Sequence, residues 1–416
     1  MVWDVMAMLH TGNWQVNVLA WYSLGKPKKI LLFVGEKMES DKCREFFISK
    51  GCLPDDIMVC ETKLKFRQSP HTHQKIIKDF ICLKLESGNT TCVLFRSAAK
   101  HLMREGMLFA YQELIKDPAW QKRLASAVLD EEIFLEQAGK APEWGSIKAP
   151  ELELKDYVTI AGYFMVCDTN QDMPEEWQKA YQNLQCEASL ADLWGACVNL
   201  VEHCERAHQW EGKASIDGLS SDLRERLPSI AQFFPHALQE NQQFLNVPTL
   251  LKYKKPWERY SQWIGLLWEQ IFADLWLTKQ LEKKFGKSTT AYQLYRNAKI
   301  KIAEKGDDLT ELDYVVLFPN GKLLLIECKV DIKAAGKPQQ AEIRNRLADK
   351  LTGQPIQTCF LLPAQDINEQ QAIETDMDKK YPKDLGFATI AACLDNIEDT
   401  HRRLADILEN LTKKQE

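Results

Sequence analysis

The chain has 416 residues, 45% hydrophobic and 27% charged. That length favours about two to three domains, and the composition excludes a disordered, collagen-like or small disulfide-stapled chain. With 53 Lys and Arg against 59 Asp and Glu the formal charge is -6. No global basic field exists to hold nucleic acid, so any such binding must use a local patch.

Residues 1–150 read as strands alternating with helices. Residues 2–9 form an apolar first strand, followed by a loop at Thr11, Gly12 and Asn13 and a helix over 14–24. The continuous apolar run 29–34 has the pattern of a strand buried on both faces of a parallel sheet. A helix over 40–50, a strand over 56–60, a helix over 70–85, a strand over 91–95 and a helix over 99–115 follow. Alternation with short connections predicts an α/β, doubly wound, Rossmann-like domain. Its ligand would lie beyond the carboxyl ends of the strands, where the strand order reverses.

Beyond residue 130 the pattern changes. Short strands are expected at 133–135, 145–147 and 157–160, and then a Trp-rich helical stretch from Pro174 to about 255. Asn246-Val247-Pro248 and Lys254-Lys255-Pro256 read as boundaries. The last part, 256–416, opens with a helix over 260–277 that is apolar almost all round and carries Glu269 among Trp263, Trp268 and Trp276. A carboxylate on such a face needs a cationic partner or becomes neutral.

The twelve cysteines contain no C-x-x-C pair, so ribbon or finger zinc sites lack their spacing. Most sit inside apolar runs, as small hydrophobes of a reduced compartment. Asp4 breaks the first apolar run, and no basic segment precedes it. The stretch 263–277 is too short to span a bilayer and contains Glu269 and Asp274. A cytoplasmic chain with no membrane partner is expected.

The most informative stretch is 311–329, two apolar runs around Pro319-Asn320-Gly321. Pro suits the first central position of a type I turn and Gly the left-handed position after it. Together they predict a three-residue hairpin loop with a glycine bulge. That loop pairs Phe318 with Lys322, Asp313 with Glu327, and Glu311 with Lys329. Residues two apart share a face, so three carboxylates and a lysine cluster at the open end of the hairpin. A two-residue Asn-Gly turn would shift the pairing by one, and Pro319 argues against it because it donates no ladder hydrogen bond. A divalent metal held by Asp313 and Glu327 would relieve the repulsion and polarise a phosphate oxygen or a water. Lys329 could orient the nucleophile or stabilise charge building at phosphorus. The same charges would equally suit a solvated hairpin end.

Glu269, Asp313 and Glu327-Cys328-Lys329 match the PD-(D/E)xK nuclease pattern: a helical Glu, an Asp, then E-x-K on the next strand. With Leu312 to Val316, Leu325 to Lys329, Asn17 to Tyr22 before the strand 29–34, Leu154 to Ile160, and Leu385 to Ala388, the chain resembles one family. These are CRISPR-associated Rossmann-fold (CARF) sensors fused to such a nuclease, the ancillary effectors of type III CRISPR defence. The resemblance implies a CARF sensor over 1–150, a helical linker region over 151–255, and a restriction-endonuclease-like α/β nuclease domain over 256–416. It implies a homodimer that binds a cyclic oligoadenylate, cyclic tetra-adenylate in particular, and then cleaves single-stranded DNA or RNA with Mn²⁺ or Mg²⁺. Catalytic residues would be Asp313, Glu327, Lys329, Glu269 and Glu311, with Asp313, Glu327 and Glu269 on the metal. Thr11, Gly12, Asn13, Ser97 and Lys100 would line the ligand site.

One departure concerns the ligand. Where the family has a Gly-Gly-Thr-Lys-like turn, this chain has Ser97-Ala98-Ala99-Lys100, and alanine does not freely take positive φ. Two alternatives therefore stand: a restriction- or repair-like nuclease whose sensor is decayed or takes another ligand, and a non-catalytic nucleotide-sensing scaffold. Among lesser candidates, Cys197, His203, Cys204 and His208 read as structural, and His71 and His73 as surface residues of a helix start. Arg344 and Arg346 are candidates for phosphate contact or for a solvated helix face. Arg296, Lys299, Lys301 and Lys305 form a basic stretch before Asp313 that suits a nucleic-acid strand or a protected sheet edge.

Overall fold

A computed structural model describes residues 3–10, 14–85, 90–97, 99–129, 132–147, 149, 151–161, 163–167, 194, 212–215, 221, 238–239, 244–247, 265, 268–269, 276–286, 291–302, 308–330, 341–342, 344–346, 351, 356–364, 366–381, 386–394 and 396–412. Strands β1 (Val5–His10), β2 (Lys29–Val34), β3 (Ile57–Val59), β4 (Cys92–Phe95), β5 (Leu124–Leu129), β6 (Ile133–Gln137) and β7 (Glu143–Gly145) form one sheet in the order β3-β2-β1-β4-β5-β6-β7. The first five are mutually parallel, and β6 and β7 add antiparallel.

Both faces of this sheet are covered, which is why its inner strands are apolar without alternation. Met6, Met8, Ile30, Leu32, Val93 and Phe95 pack with α1 (Gln15–Ser23) and α2 (Asp41–Ser49). Val5, Ala7, Leu9, Leu31, Phe33 and Leu94 pack with α3 (Pro70–Lys84) and α4 (His101–Leu114). The chain winds from β1 to β3 on one side and crosses through α3 to β4 on the other. The switch point therefore lies between the carboxyl ends of β1 and β4, where the sequence places it.

Strand β5 and the short helix α5 (Pro118–Gln121) were not anticipated from the sequence. His73 is not a surface residue. It is fully buried, and its two ring nitrogens lie 3.3 Å from Leu102 O and 2.9 Å from Lys65 O. Gly106 makes this possible, since a Cβ there would fall 2.4 Å from His73 Cβ. His71, by contrast, is exposed and stacks on Phe109.

The stretch 157–160 is helical rather than a strand, within α6 (Leu154–Ile160). Asp156 accepts the Glu153 backbone N–H at 3.0 Å, a capping contact that outweighs the β-branched residues Val158, Thr159 and Ile160. A second sheet then runs β16-β15-β14-β13-β12-β8. Its members are β8 (Phe164–Cys167), β12 (Gln293–Lys301), β13 (Asp308–Leu317), β14 (Leu323–Cys328), β15 (Ile356–Ala364) and β16 (Phe387–Cys393). The pairs β14–β15 and β15–β16 are parallel; the others are antiparallel. Helices α7 (Thr278–Phe285), α8 (Ile367–Lys380) and α9 (Ile397–Thr412) accompany it.

The expectation of a helical linker over 151–255 needs correcting where residues are described. Strand β8 belongs to the second sheet, and β9 (Gly212–Ser215), β10 (Leu238–Gln239) and β11 (Phe244–Val247) make a small antiparallel sheet of their own. Pairing between segments so far apart leaves no local periodicity to read. The nine described cysteines are free. Among the described residues no helix is long and apolar enough to cross a membrane.

Candidate metal-dependent site at the open end of a hairpin

The turn at Pro319-Asn320-Gly321 closes as its residues dictate. Phe318 N donates to Lys322 O at 3.0 Å and Gly321 N to Phe318 O at 2.9 Å, with Gly321 at φ 79°. The resulting register pairs Leu317 with Leu323 and Tyr314 with Ile326, so continuing it sets Asp313 opposite Glu327. Strand β14 is buried along its whole length. Its last charge, Glu327, is only 1% exposed.

The side chains meet around Lys329. Its Nζ lies 3.0 Å from Asp313 Oδ2 and 3.0 Å from Glu327 Oε2. Asp313 Oδ2 also accepts the Cys328 backbone N–H at 2.8 Å, and Lys329 N donates to Leu361 O at 2.8 Å. These bonds fix the strand end and hold both carboxylates on one side. Arg344, proposed from the sequence only for phosphate contact or a solvated face, places Nη1 2.7 Å from Glu327 Oε2 and donates through Nε to Thr310 Oγ1 at 3.2 Å.

Glu269 comes from the aromatic segment. Gly265, Trp268 and Glu269 are helical; the rest of 260–275 lies outside the described residues. Trp268 is fully buried and its indole donates to Leu361 O at 3.3 Å. Tyr314 OH donates to the Glu269 backbone carbonyl at 2.9 Å. Two bonds thus anchor this turn on β13 and β15, which brings the Glu269 carboxyl within electrostatic reach of Asp313, Lys329, Glu311 and Glu327.

Burial first, and the Asp313 charge second, push the Glu269 carboxyl up to about 8 and that of Glu327 to about 7. Lys329 opposes both shifts, and Arg344 opposes that of Glu327. Asp313 and Glu327 hold the Lys329 ammonium well above its usual range against the burial that would lower it. Fully ionised, Glu269, Asp313 and Glu327 would outnumber the two cations Lys329 and Arg344, which fits the upward shift of two of the three carboxyls.

These shifts give a signed pH dependence. With folded values raised from near 4.5, the native state holds protons that the unfolded chain has released, so stability falls as pH rises from about 4.5 to 8. We expect melting in the presence of a chelator to shift downward across that window, and Glu269→Gln to flatten the slope. A wild-type profile no steeper than that of Glu269→Gln would contradict this arrangement of charges.

Among the described residues, no three His, Cys, Asp or Glu side chains already converge as a metal cage. A magnesium-like ion needs one or two carboxylates and keeps its waters, so Asp313 and Glu327 suffice in kind. The fit is supported by the two carboxylate oxygens of Glu327, both buried without a hydrogen-bond partner.

Other candidate residues scatter. Glu311 pairs across the strands with Lys299 at 3.8 Å, and Arg296 lies 5.9 Å from the Tyr314 ring centre. Arg346 forms an exposed pair with Glu342. Lys305 and the Cys197, His203, Cys204 and His208 group lie outside the described residues. So do Thr11, Gly12, Asn13 and Ala98.

At the switch point of the first sheet, Ser97 donates to Leu129 O at 3.0 Å and accepts Leu129 N at 2.7 Å. Its hydroxyl ties the end of β4 to β5. Lys100 is exposed and stands immediately before α4, which begins at His101 rather than Ala99.

No family model matches the chain, and no curated protein does. Solved structures do. The crystal structure of protein VC1899 from Vibrio cholerae superimposes with a TM-score of 0.65 at 15% identity, covering 97% of this chain and 98% of the other. Can2 from Sulfobacillus thermosulfidooxidans, in complex with cyclic tetra-adenylate, superimposes with a TM-score of 0.61 at 16% identity, covering 97% and 98%. Over nearly its full length, the chain has the fold of these two proteins.

Proposed function

We propose that this chain is a metal-dependent nuclease gated by a cyclic oligoadenylate, cyclic tetra-adenylate first among them, and acting in type III CRISPR defence. The observation that carries the reading is Asp313 and Glu327 held on either side of Lys329 at the end of a buried strand, with Glu269 within electrostatic reach of them. Full-length likeness in fold to a protein solved with cyclic tetra-adenylate supports the sensor half. The chain would work as a cytoplasmic homodimer, with the ligand spanning the two switch points.

Asp313 and Glu327 would hold the Mn²⁺ or Mg²⁺ ion, and Glu269 would approach it from its helix. The bound ion would supply Lewis acidity toward a phosphate oxygen and a water made more acidic. Lys329, fixed between two carboxylates and strongly basic, stays protonated, so its part is to stabilise charge at phosphorus rather than to accept a proton. Labelled single- and double-stranded DNA and RNA, incubated with either metal and with or without cyclic oligoadenylates, test the reading. Cleavage of single strands that rises with the activator supports it; no cleavage of any polymer overturns it.

A second reading, a nuclease that lacks this ligand, is favoured by one observation. The Ser97 hydroxyl already serves Leu129 and Arg96 donates through Nε to Ser126 Oγ at 2.7 Å, leaving Lys100 as the exposed charged group in the described part of the loop after β4. Lys100→Ala separates the two. If a ligand phosphate sits at the switch point, the variant loses a charged hydrogen bond and about 1–3 kcal/mol of binding. Calorimetry with cyclic tetra-adenylate reads this, and no binding to the wild type selects the ungated nuclease.

A further inference from the structure

The geometry points to Arg344 as a positioning residue: its guanidinium clamps one carboxylate oxygen of Glu327 so that the other oxygen is the one offered to a divalent cation. This inference rests on the nuclease reading and deepens it.

The two oxygens of Glu327 stand in different surroundings. Oε2 has Arg344 Nη1 at 2.7 Å and Lys329 Nζ at 3.0 Å. Both oxygens are buried and neither makes a hydrogen bond; what separates them is charge, since the ion-pair contacts of Lys329 and Arg344 are both to Oε2. A side chain only 1% exposed cannot turn Oε1 to water. Buried acceptors are paired in the great majority of structures, so an orphan at a charged cluster calls for a ligand.

Lys329 alone would not enforce this asymmetry. Its ammonium is a rotatable point charge and is shared with Asp313 at 3.0 Å. Arg344 differs because its planar fork is held at a second point, where Nε donates to Thr310 Oγ1 at 3.2 Å. Thr310 lies on β13 and Glu327 on β14, so the guanidinium spans both strands of the hairpin and sets the Glu327 side chain relative to Asp313. Arg344 touches neither substrate nor metal in this scheme; it acts through Glu327, as outer groups orient ligands at metal sites generally.

Calorimetric titration with Mn²⁺, alongside single-strand cleavage kinetics, tests this in wild type, Arg344→Ala, Arg344→Lys and Thr310→Val, with melting curves as a folding check. We expect Arg344→Ala to bind Mn²⁺ at least tenfold more weakly and to lose kcat by a similar factor with KM little changed, on the scale seen for outer-shell partners. Arg344→Lys keeps the charge but cannot grip both anchors, and should fall between. Thr310→Val removes only the second anchor and shifts Mn²⁺ affinity in the same direction, even if Arg344→Ala fails to fold. Wild-type Mn²⁺ affinity in Arg344→Ala overturns the proposal, as does tighter binding, which would make Arg344 a competing cation. A raised KM with unchanged Mn²⁺ affinity overturns it too, by making Arg344 a substrate contact. If the wild type binds no divalent cation, the nuclease reading falls with it; if the wild type binds and Arg344→Ala binds equally, only the role of Arg344 falls.

Discussion

Replacing Glu327 with alanine is expected to lower metal-dependent cleavage roughly 10³-fold or more, a loss of about 4 kcal/mol of transition-state stabilisation. Glu327 is the penultimate residue of a strand whose other residues are all apolar and buried, and it is 1% exposed. A carboxylate costs free energy in such a place, and burial with the Asp313 charge already pushes it up to about 7. Glu327→Gln is the more telling variant, because it keeps the shape that Lys329 and Arg344 surround and removes only the charge. Both variants should melt as a folded protein. Asp313→Ala should be as inactive and less stable, since Asp313 Oδ2 also holds the Cys328 N–H at 2.8 Å. Cleavage at the wild-type rate by Glu327→Gln would place the chemistry elsewhere in the chain.

The part of this site that could be read from the sequence was the part governed by one turn. Pro319 and Gly321 have strict backbone requirements, and those requirements set the register that brings Asp313 opposite Glu327. The first sheet was legible for a similar reason: continuous apolar runs such as Lys29–Val34 admit few environments other than a doubly covered sheet. What escaped was decided by contacts distant in sequence. His73 is buried because Gly106 lets α4 approach α3 closely, and nothing near position 73 announces it. The stretch 157–160 favours a strand by sequence, yet it lies in the helix Leu154–Ile160, which Asp156 caps while pairing with Lys50 at 2.8 Å.

The partnership of Arg344 with Glu327 was hidden in the same way. Seventeen positions of chain separate them, and only the fold brings the guanidinium to 2.7 Å. Ser97 shows the converse. Its position in the loop after β4 suggested a ligand donor, and the structure gives its hydroxyl to Leu129 on the neighbouring strand. Residue type and loop position identified where a ligand would come, but not which side chains were already committed.

Lys329→Ala should separate the electrostatic part of this cluster from its chemistry. The ammonium stands 3.0 Å from each of two carboxylates, with side chains 14% and 1% exposed. Removing it leaves Asp313, Glu327 and Glu269 within electrostatic reach of one another with Arg344 as the described counter-charge on Glu327. Breaking a buried pair by deleting one partner costs about 3–5 kcal/mol, and the remaining Arg344 and Cys328 N–H contacts put this case at the low end, about 3 kcal/mol. In a chelator, the variant should therefore melt below the wild type. Mn²⁺ should close that gap, because a cation that serves the same carboxylates stabilises the folded state by mass action. The rate should stay low even when the metal has restored the melting temperature, since the ion takes over the neutralising role of Lys329 but not its contact with charge building at phosphorus. Scanning calorimetry with and without Mn²⁺, paired with cleavage rates, reads both effects on one preparation. A variant that melts like the wild type in chelator, or that Mn²⁺ fails to stabilise, would show that Lys329 does not balance these carboxylates. Full restoration of the rate by Mn²⁺ would show that neutralisation was all Lys329 contributed.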